Sequence, residues 1–351
     1  MTDPDAGEIA FPTVGSALGG GGLGNRGLVE SLATSLIETC DGQLGELRWF
    51  RTDWQRGGAA TARAKWSAHC SDCDSDSSGS STKASAAPRD VENVVVKLPV
   101  NTRELNWMRR LQRSDRLPVI PRLLASGDAL AQYDLGWVVI EQLPFGPLGG
   151  HWHESHVDRI AEAIAQFSLD AKPFPVDRAA RHEDWERLLS SAREAVKVNR
   201  VPNRQRWTAA LRTAAHRWHQ LVAIWEARAP LEWIHGDLHL ANAMSRVGHA
   251  HGDVCLIDLA EVRPGHWLED AIYLERQLWA RPERLRGHQP ARAIADARRA
   301  RGLENGDDVA HLAQVRRTLL AATSLAFLKS EGAPSYLGAC LDRLESGLGS
   351  L

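Results

Sequence analysis

Cysteine is scarce in this chain, and the five present, Cys40, Cys70, Cys73, Cys255 and Cys340, are scattered and odd in number. One of them falls within an expected core strand, so the chain does not read as a disulfide scaffold. Long apolar runs are missing too: none approaches the roughly 18 residues that a membrane span needs. The acidic start, Met1-Thr2-Asp3-Pro4-Asp5, has neither a basic n-region nor an apolar h-region. These absences point to a cytoplasmic protein with no membrane partner. An excess of one charge is also lacking, since 42 Lys and Arg face 44 Asp and Glu for a formal net charge of -2. No global field would recruit nucleic acid or an anionic surface. Tryptophan, by contrast, is plentiful at thirteen residues, and the spacing assigns most of them to helix faces or strands as core and interlobe packing. A chain of 351 residues has room for one large domain or two lobes and a sizeable core.

The most informative stretch is Ile234-His235-Gly236-Asp237-Leu238-His239-Leu240-Ala241-Asn242, followed by Val254-Cys255-Leu256-Ile257-Asp258. Apolar residues before His235 and before Asp258 read as short buried strands, which puts an acid, an amide and a second acid at strand ends and in the loop between. Asp237 and Asn242 stand at the spacing of a phosphoryl-transfer catalytic loop. The pattern His-Gly-Asp-x-His-x-x-Asn followed by Ile-Asp resembles the aminoglycoside phosphotransferase and choline kinase superfamily, small-molecule relatives of the protein kinases. Protein kinases would carry His-Arg-Asp and Asp-Phe-Gly here, whereas this chain has His235-Gly236-Asp237 and Asp258-Leu259-Ala260. The resemblance implies Asp237 as catalytic base, with Asn242 and Asp258 holding magnesium. Asp270 matches a family position thought to anchor the catalytic loop. His239 is common in small-molecule members, with no mechanism attached.

Ahead of that motif, residues 1–26 show no periodic apolar pattern and read as a flexible leader, and Leu28 to Cys40 repeats at helical spacing. Residues 46–54 and 60–66 look like strands flanking Arg56-Gly57-Gly58. By resemblance Gly57 and Gly58 cover the nucleotide phosphates, although an ordinary hairpin turn would look the same. A Ser- and Asp-rich insertion at about 67–90 should be disordered, and His69-Cys70-Ser71-Asp72-Cys73 within it lacks a second ligand pair for zinc. Asn93 to Leu98 is a β-branched strand that carries Lys97, and Glu104 on the following helix could reach back to it, the pairing that places an ammonium against nucleotide phosphates. Pro118 to Gly127 reads as a turn-rich connection. The strand from Gly136 to Pro144 leads into a Pro/Gly crossover, implied by the resemblance to be the hinge where the backbone of Glu141 and Leu143 holds adenine.

Beyond Gly150 the pattern is helical. One face carries Ile160, Ile164 and Phe167, a long second helix runs through Trp207 to Trp225, and further helices cover roughly 268–279, 290–301, 309–329 and 336–346. The expected architecture is α+β: a two-lobed protein-kinase-like fold with a small antiparallel sheet lobe (27–143) and a mainly helical lobe (144–351) that carries loop 235–242. The expected activity is ATP- and magnesium-dependent transfer to a hydroxyl of a small molecule, an amino sugar, aminoglycoside, sugar or amino alcohol. Two readings compete with it. A metallohydrolase could use His235, Asp237, His239 and Asp258 but leaves Lys97, Glu104 and Asn242 unexplained. An idle nucleotide-binding module of the same fold would have lost some of Lys97, Asp237, Asn242 and Asp258, and all four are present.

Overall fold

A computed structural model describes residues 24–51, 59–67, 91–285 and 287–351. The leader up to residue 23, Gly57 and Gly58, and the Cys70/Cys73 stretch therefore lie outside the described residues.

Helix α1 (Gly24–Thr39) precedes a five-stranded antiparallel sheet formed by β1 (Arg48–Arg51), β2 (Ala60–Ser67), β3 (Val91–Leu98), β4 (Leu123–Gly127) and β5 (Trp137–Glu141). Its spatial order is β1-β2-β3-β5-β4. The alternation in β2 and β3 explains how the sheet packs: Ala62, Ala64, Trp66, Val94 and Val96 join Leu32, Leu36 and Leu44 in one core. Successive strand residues point to opposite faces, so Thr61, Val95 and Lys97 are turned away from that core. Helix α2 (Thr102–Arg110) lies between β3 and β4 and is started by Asn101, whose side chain accepts the Glu104 N–H. Leu105 packs under the sheet with Val100 and Val138, while Trp107 and Met108 belong to the core of the second lobe. One helix thus joins both lobes.

Past residue 143 come α3 (His156–Ala171), α4 (Trp185–Val198) and α5 (Arg204–Glu226), then β6 (Glu232–Ile234), β7 (Ala243–Ser245), β8 (Val254–Leu256) and β9 (Arg263–Gly265). Helices α6 (Leu268–Arg276), α7 (Pro282–Leu285), α8 (Pro290–Ala300), α9 (Val309–Thr323), α10 (Leu328–Glu331) and α11 (Pro334–Ser350) complete the lobe. Ten of the thirteen tryptophans are buried, which bears out their reading as core. Among the described residues no helix is long and apolar enough to cross a membrane.

The elements depart from expectation in four places. Pro118 to Gly127 is not only a connection, because Leu123–Gly127 pairs with β5 as the edge strand β4. Its Leu-Leu-Ala-Ser-Gly sequence has no β-branched residue and no alternation, so the pairing rather than local preference makes it a strand. Helix α4 was not foreseen. Ser67 closes β2 rather than opening the insertion. The expected helix 309–329 stops at Thr323, where Thr323 and Ser324 turn their hydroxyls back onto the Leu319 and Ala321 carbonyls and a 3-10 turn follows.

Candidate active site

Two short antiparallel pairs, β6 with β9 and β7 with β8, frame the loop His235–Asn242. The loop begins with a turn only glycine fits. Gly236 has φ +79, and a Cβ there would lie 2.2 Å from the Glu261 carbonyl oxygen. Beneath it, the fully buried Asp270 on α6 accepts the His235 N–H at 2.8 Å and the Gly236 N–H at 2.9 Å. Burial pushes the Asp270 carboxyl up to about 7, against the pull of Arg263 and these two amides. The anchoring role implied for Asp270 is thus visible as two hydrogen bonds.

His235 ties the loop to the segment after β8. Its Nε2 donates to the Ile257 carbonyl at 3.1 Å and its Nδ1 accepts the Asp237 N–H at 3.3 Å. Burial holds its pKa down at about 4, so the ring stays neutral. His239 is also engaged: its Nδ1 accepts the Ala241 and Asn242 amides, both at 3.1 Å, capping the 3-10 turn. The ring proton therefore lies on Nε2, which faces Asp237 Oδ2 at 3.4 Å. Asn242 Nδ2 donates to the Asp237 carbonyl at 3.0 Å and to its carboxylate at 3.1 Å. Tyr273, on α6, lies near enough to the same carboxylate for burial and that charge to push its phenol pKa up. Burial alone would raise the Asp237 pKa, but His239, His235 and Asn242 more than offset it, and the net shift is downward. Asp237 is an ionised carboxylate held in one orientation.

Residue Asp258 follows β8 with φ +66 and ψ +76, a left-handed backbone that Asp and Asn tolerate better than other side chains. The Ile257 N–H donates to the Asn242 carbonyl at 3.0 Å, which sets Asn242 and Asp258 side by side. Lys97 reaches across from β3, with Nζ 2.6 Å from Glu104 Oε1 and 3.4 Å from Asp258 Oδ1. Burial would depress the Lys97 pKa, but the two carboxylates outweigh it and the ammonium persists. Burial raises the Glu104 carboxyl while Lys97 draws it back. Arg103 adds a further cross-lobe bond, donating to the Ala260 carbonyl at 3.3 Å.

The structure therefore brings Lys97, Glu104 and Asp258 into one ion cluster and Asp237 with Asn242 into another, with His235 between Asp237 and Asp258. Glu141 and Leu143 stand elsewhere, at the interlobe crossover. The Glu141 N–H is bonded to the Arg122 carbonyl, and its carboxylate accepts from Arg122 N at 2.8 Å and Arg246 Nε at 2.9 Å. Leu143 is buried, two residues past the end of β5. The side-chain oxygens of Asn242 and Asp258 are hard donors that suit magnesium, and the Asp258 side chain is 40% exposed, so a cation could reach it. The metallohydrolase alternative fares worse: both His235 nitrogens and His239 Nδ1 are already hydrogen-bonded, and among the described residues no three His, Cys, Asp or Glu side chains could hold a metal.

Tyr273 and Gln277 escaped the sequence reading. Gln277 accepts the Leu240 N–H at 3.2 Å and donates to the Leu238 carbonyl at 3.4 Å. Both lie at helical spacing from Asp270, at i+3 and i+7, which is the signal that would have found them.

The sequence pattern of the phosphotransferase enzyme family matches residues 90–321. In structure the chain is similar to a microcompartment-associated aminopropanol kinase, with a TM-score of 0.53 at 15% identity over 90% of this chain and 94% of that one. It is similar to a choline/ethanolamine kinase family protein from Mesorhizobium loti, with a TM-score of 0.52 at 12% identity over 92% and 94% of the two chains. An aminoglycoside phosphotransferase from Alicyclobacillus acidocaldarius gives a TM-score of 0.51 at 17% identity, over 74% of this chain and 86% of that one. No curated protein matches the chain in sequence. At these identities the structural likeness is one of fold, two-lobed and protein-kinase-like, and the match over most of the chain fixes the rest: the protein belongs to the phosphotransferase enzyme family, within the aminoglycoside phosphotransferase and choline kinase superfamily.

Proposed function

We propose that this protein transfers the γ-phosphoryl group of ATP, with magnesium, to a hydroxyl of a small molecule. The observation that carries the reading is the convergence of Lys97, Glu104 and Asp258, with Lys97 and Asp258 161 residues apart in sequence, next to an ionised Asp237 locked by Asn242. A phosphoryl group in transfer carries charge on its oxygens that needs fixed cations. Lys97 supplies one, and Glu104 holds it in place. Asn242 and Asp258 would hold magnesium, which when bound neutralises phosphate charge. The half-buried side chains of Val95 and Ile140, opposite each other on β3 and β5, offer an apolar wall for the base, with the backbone of Glu141 and Leu143 at its edge.

Asp237 aligns the acceptor hydroxyl. As the new O–P bond forms and the bond from the γ-phosphorus to its bridging oxygen breaks, the hydroxyl proton passes to Asp237 and ADP leaves. With its pKa lowered, Asp237 is a weak base at neutral pH, and its main contribution is orientation, with the proton accepted late.

The test is ADP release from ATP and GTP against a panel of aminoglycosides, amino sugars, sugars and amino alcohols. The blank is Asp258→Asn, chosen because Asn also tolerates the left-handed backbone. Acceptor-dependent release that vanishes in the blank supports the proposal and names the acceptor class. No release, together with no rise in melting temperature on adding Mg-ATP, refutes it.

A further inference from the structure

We propose that Thr61 is a nucleotide-binding residue whose hydroxyl donates to the phosphate group that Lys97 holds. The proposal rests on the nucleotide-dependent reading above and deepens it. Thr61 is the direct cross-strand partner of Lys97 in the β2–β3 pairing, and side chains so paired share a face with Cβ atoms about 4.5–5.5 Å apart. That face is the one turned to the second lobe. Ala60, Ala62, Ala64 and Trp66 of β2 are all buried in the opposite direction, and Lys97 reaches Asp258 from the Thr61 side.

The Thr61 Oγ1 is buried and has no hydrogen-bond partner. Other buried hydroxyls among the described residues are satisfied: Thr318, Thr323 and Ser324 each donate to a carbonyl three or four residues back. A strand residue has no carbonyl one turn back to use, so the Thr61 hydroxyl has no such partner within its own strand. Leaving a buried hydroxyl unpaired costs stability. Valine has nearly the same shape and suits a strand equally, so packing alone gives no reason for the hydroxyl. A ligand does. A phosphate oxygen drawn to Lys97 would sit within reach of Thr61, and a neutral O–H donor strengthens anion binding there without adding a second positive charge beside the ammonium.

The experiment titrates ADP and adenosine calorimetrically into the intact protein and into Thr61→Val and Thr61→Ser, and records each melting temperature without nucleotide. Thr61→Val should weaken ADP about 10- to 100-fold, the range for a hydrogen bond to a charged group, while adenosine changes by less than about twofold. The same variant should melt higher than the parent without nucleotide, because an unpaired buried hydroxyl has gone. Thr61→Ser, which keeps the hydroxyl, should retain ADP affinity. Unchanged ADP binding in Thr61→Val, an equal loss of adenosine, or a lower melting temperature for the nucleotide-free valine variant overturns the proposal. Should the parent protein bind neither ADP nor ATP, the functional reading itself fails and this inference with it.

Discussion

Around Asp237 the polar groups are bonded within the protein, whereas on the sheet face around Lys97 the groups are fewer and one, the Thr61 hydroxyl, has no partner. The first region is over-determined. Asp270 fixes the backbone at 235–236, His239 and Gln277 fix 238–242, and Asn242, His239 and Tyr273 converge on the Asp237 carboxylate. The second is held by the Lys97–Glu104–Asp258 cluster and, beside it, by the Arg103 bond to the Ala260 carbonyl. On the proposed function, the difference separates two tasks. A group that aligns a hydroxyl for in-line attack must be in place before the acceptor arrives, while a surface that embraces a nucleotide can be completed by the nucleotide.

The largest effect that sharpens this contrast is expected for Asp237→Asn, which keeps the size and removes the proton acceptor. Turnover should fall by about 10²–10⁴-fold while ADP affinity holds, as steady-state rates and an ADP titration will show. Retention of most of the turnover would remove Asp237 from its assigned role. Next comes Gly236→Ala. Forcing a side chain into φ +79 against the Glu261 carbonyl should cost about 1–3 kcal/mol of stability and most of the turnover, read by thermal melting and rates. ADP affinity should survive, since Lys97 is untouched, and an equal loss of ADP binding would break the division between the regions.

Protonation gives the smallest effect per step. Burial holds His235 down at about 4 and His266 at about 3. An unfolded histidine titrates near ~6.5, so below that pH the unfolded chain takes up protons the folded chain refuses, and stability falls toward pH ~4. Asp270 works in the opposite sense. Pushed up to about 7, it holds a proton when folded that the unfolded chain lacks down to ~3.9, offsetting one of the two histidines. The net expectation is a falling melting temperature between pH ~6.5 and ~4, worth up to about 1.4 kcal/mol per pH unit, and a steeper fall in Asp270→Asn. A flat profile in both proteins would contradict the buried, neutral state of His235.

Much of this was legible in the sequence for identifiable reasons. The helices of the second lobe carry apolar residues at three- and four-residue steps. The ends of β6 and β8 carry Asp237 and Asp258 because a loop between buried strands is where polar side chains can converge. What stayed hidden depends on pairing in space. β4 is a strand because β5 offers it a partner, not because Leu123-Leu124-Ala125-Ser126-Gly127 favours extension. The Glu141 side chain could not be seen to join Arg122 and Arg246, residues far from it in sequence. His239 was recognised without a role because its two amide partners are set by the 3-10 turn it caps. Thr61 is an ordinary strand threonine until the register with Lys97 is known.

The reach from Lys97 to Asp258 also bears on how the chain is made. The apolar core under the sheet draws its members from Leu32 to Val139, so the sheet has that core's members early in synthesis, while Trp107 and Met108 of α2 await the second lobe. Asp258 comes 161 residues after Lys97, a delay of roughly ten to thirty seconds at ordinary rates of synthesis. During that interval the nascent chain can form the Lys97–Glu104 pair but not the third member. The charge cluster that the proposed transfer needs is thus complete only once residue 258 has been made.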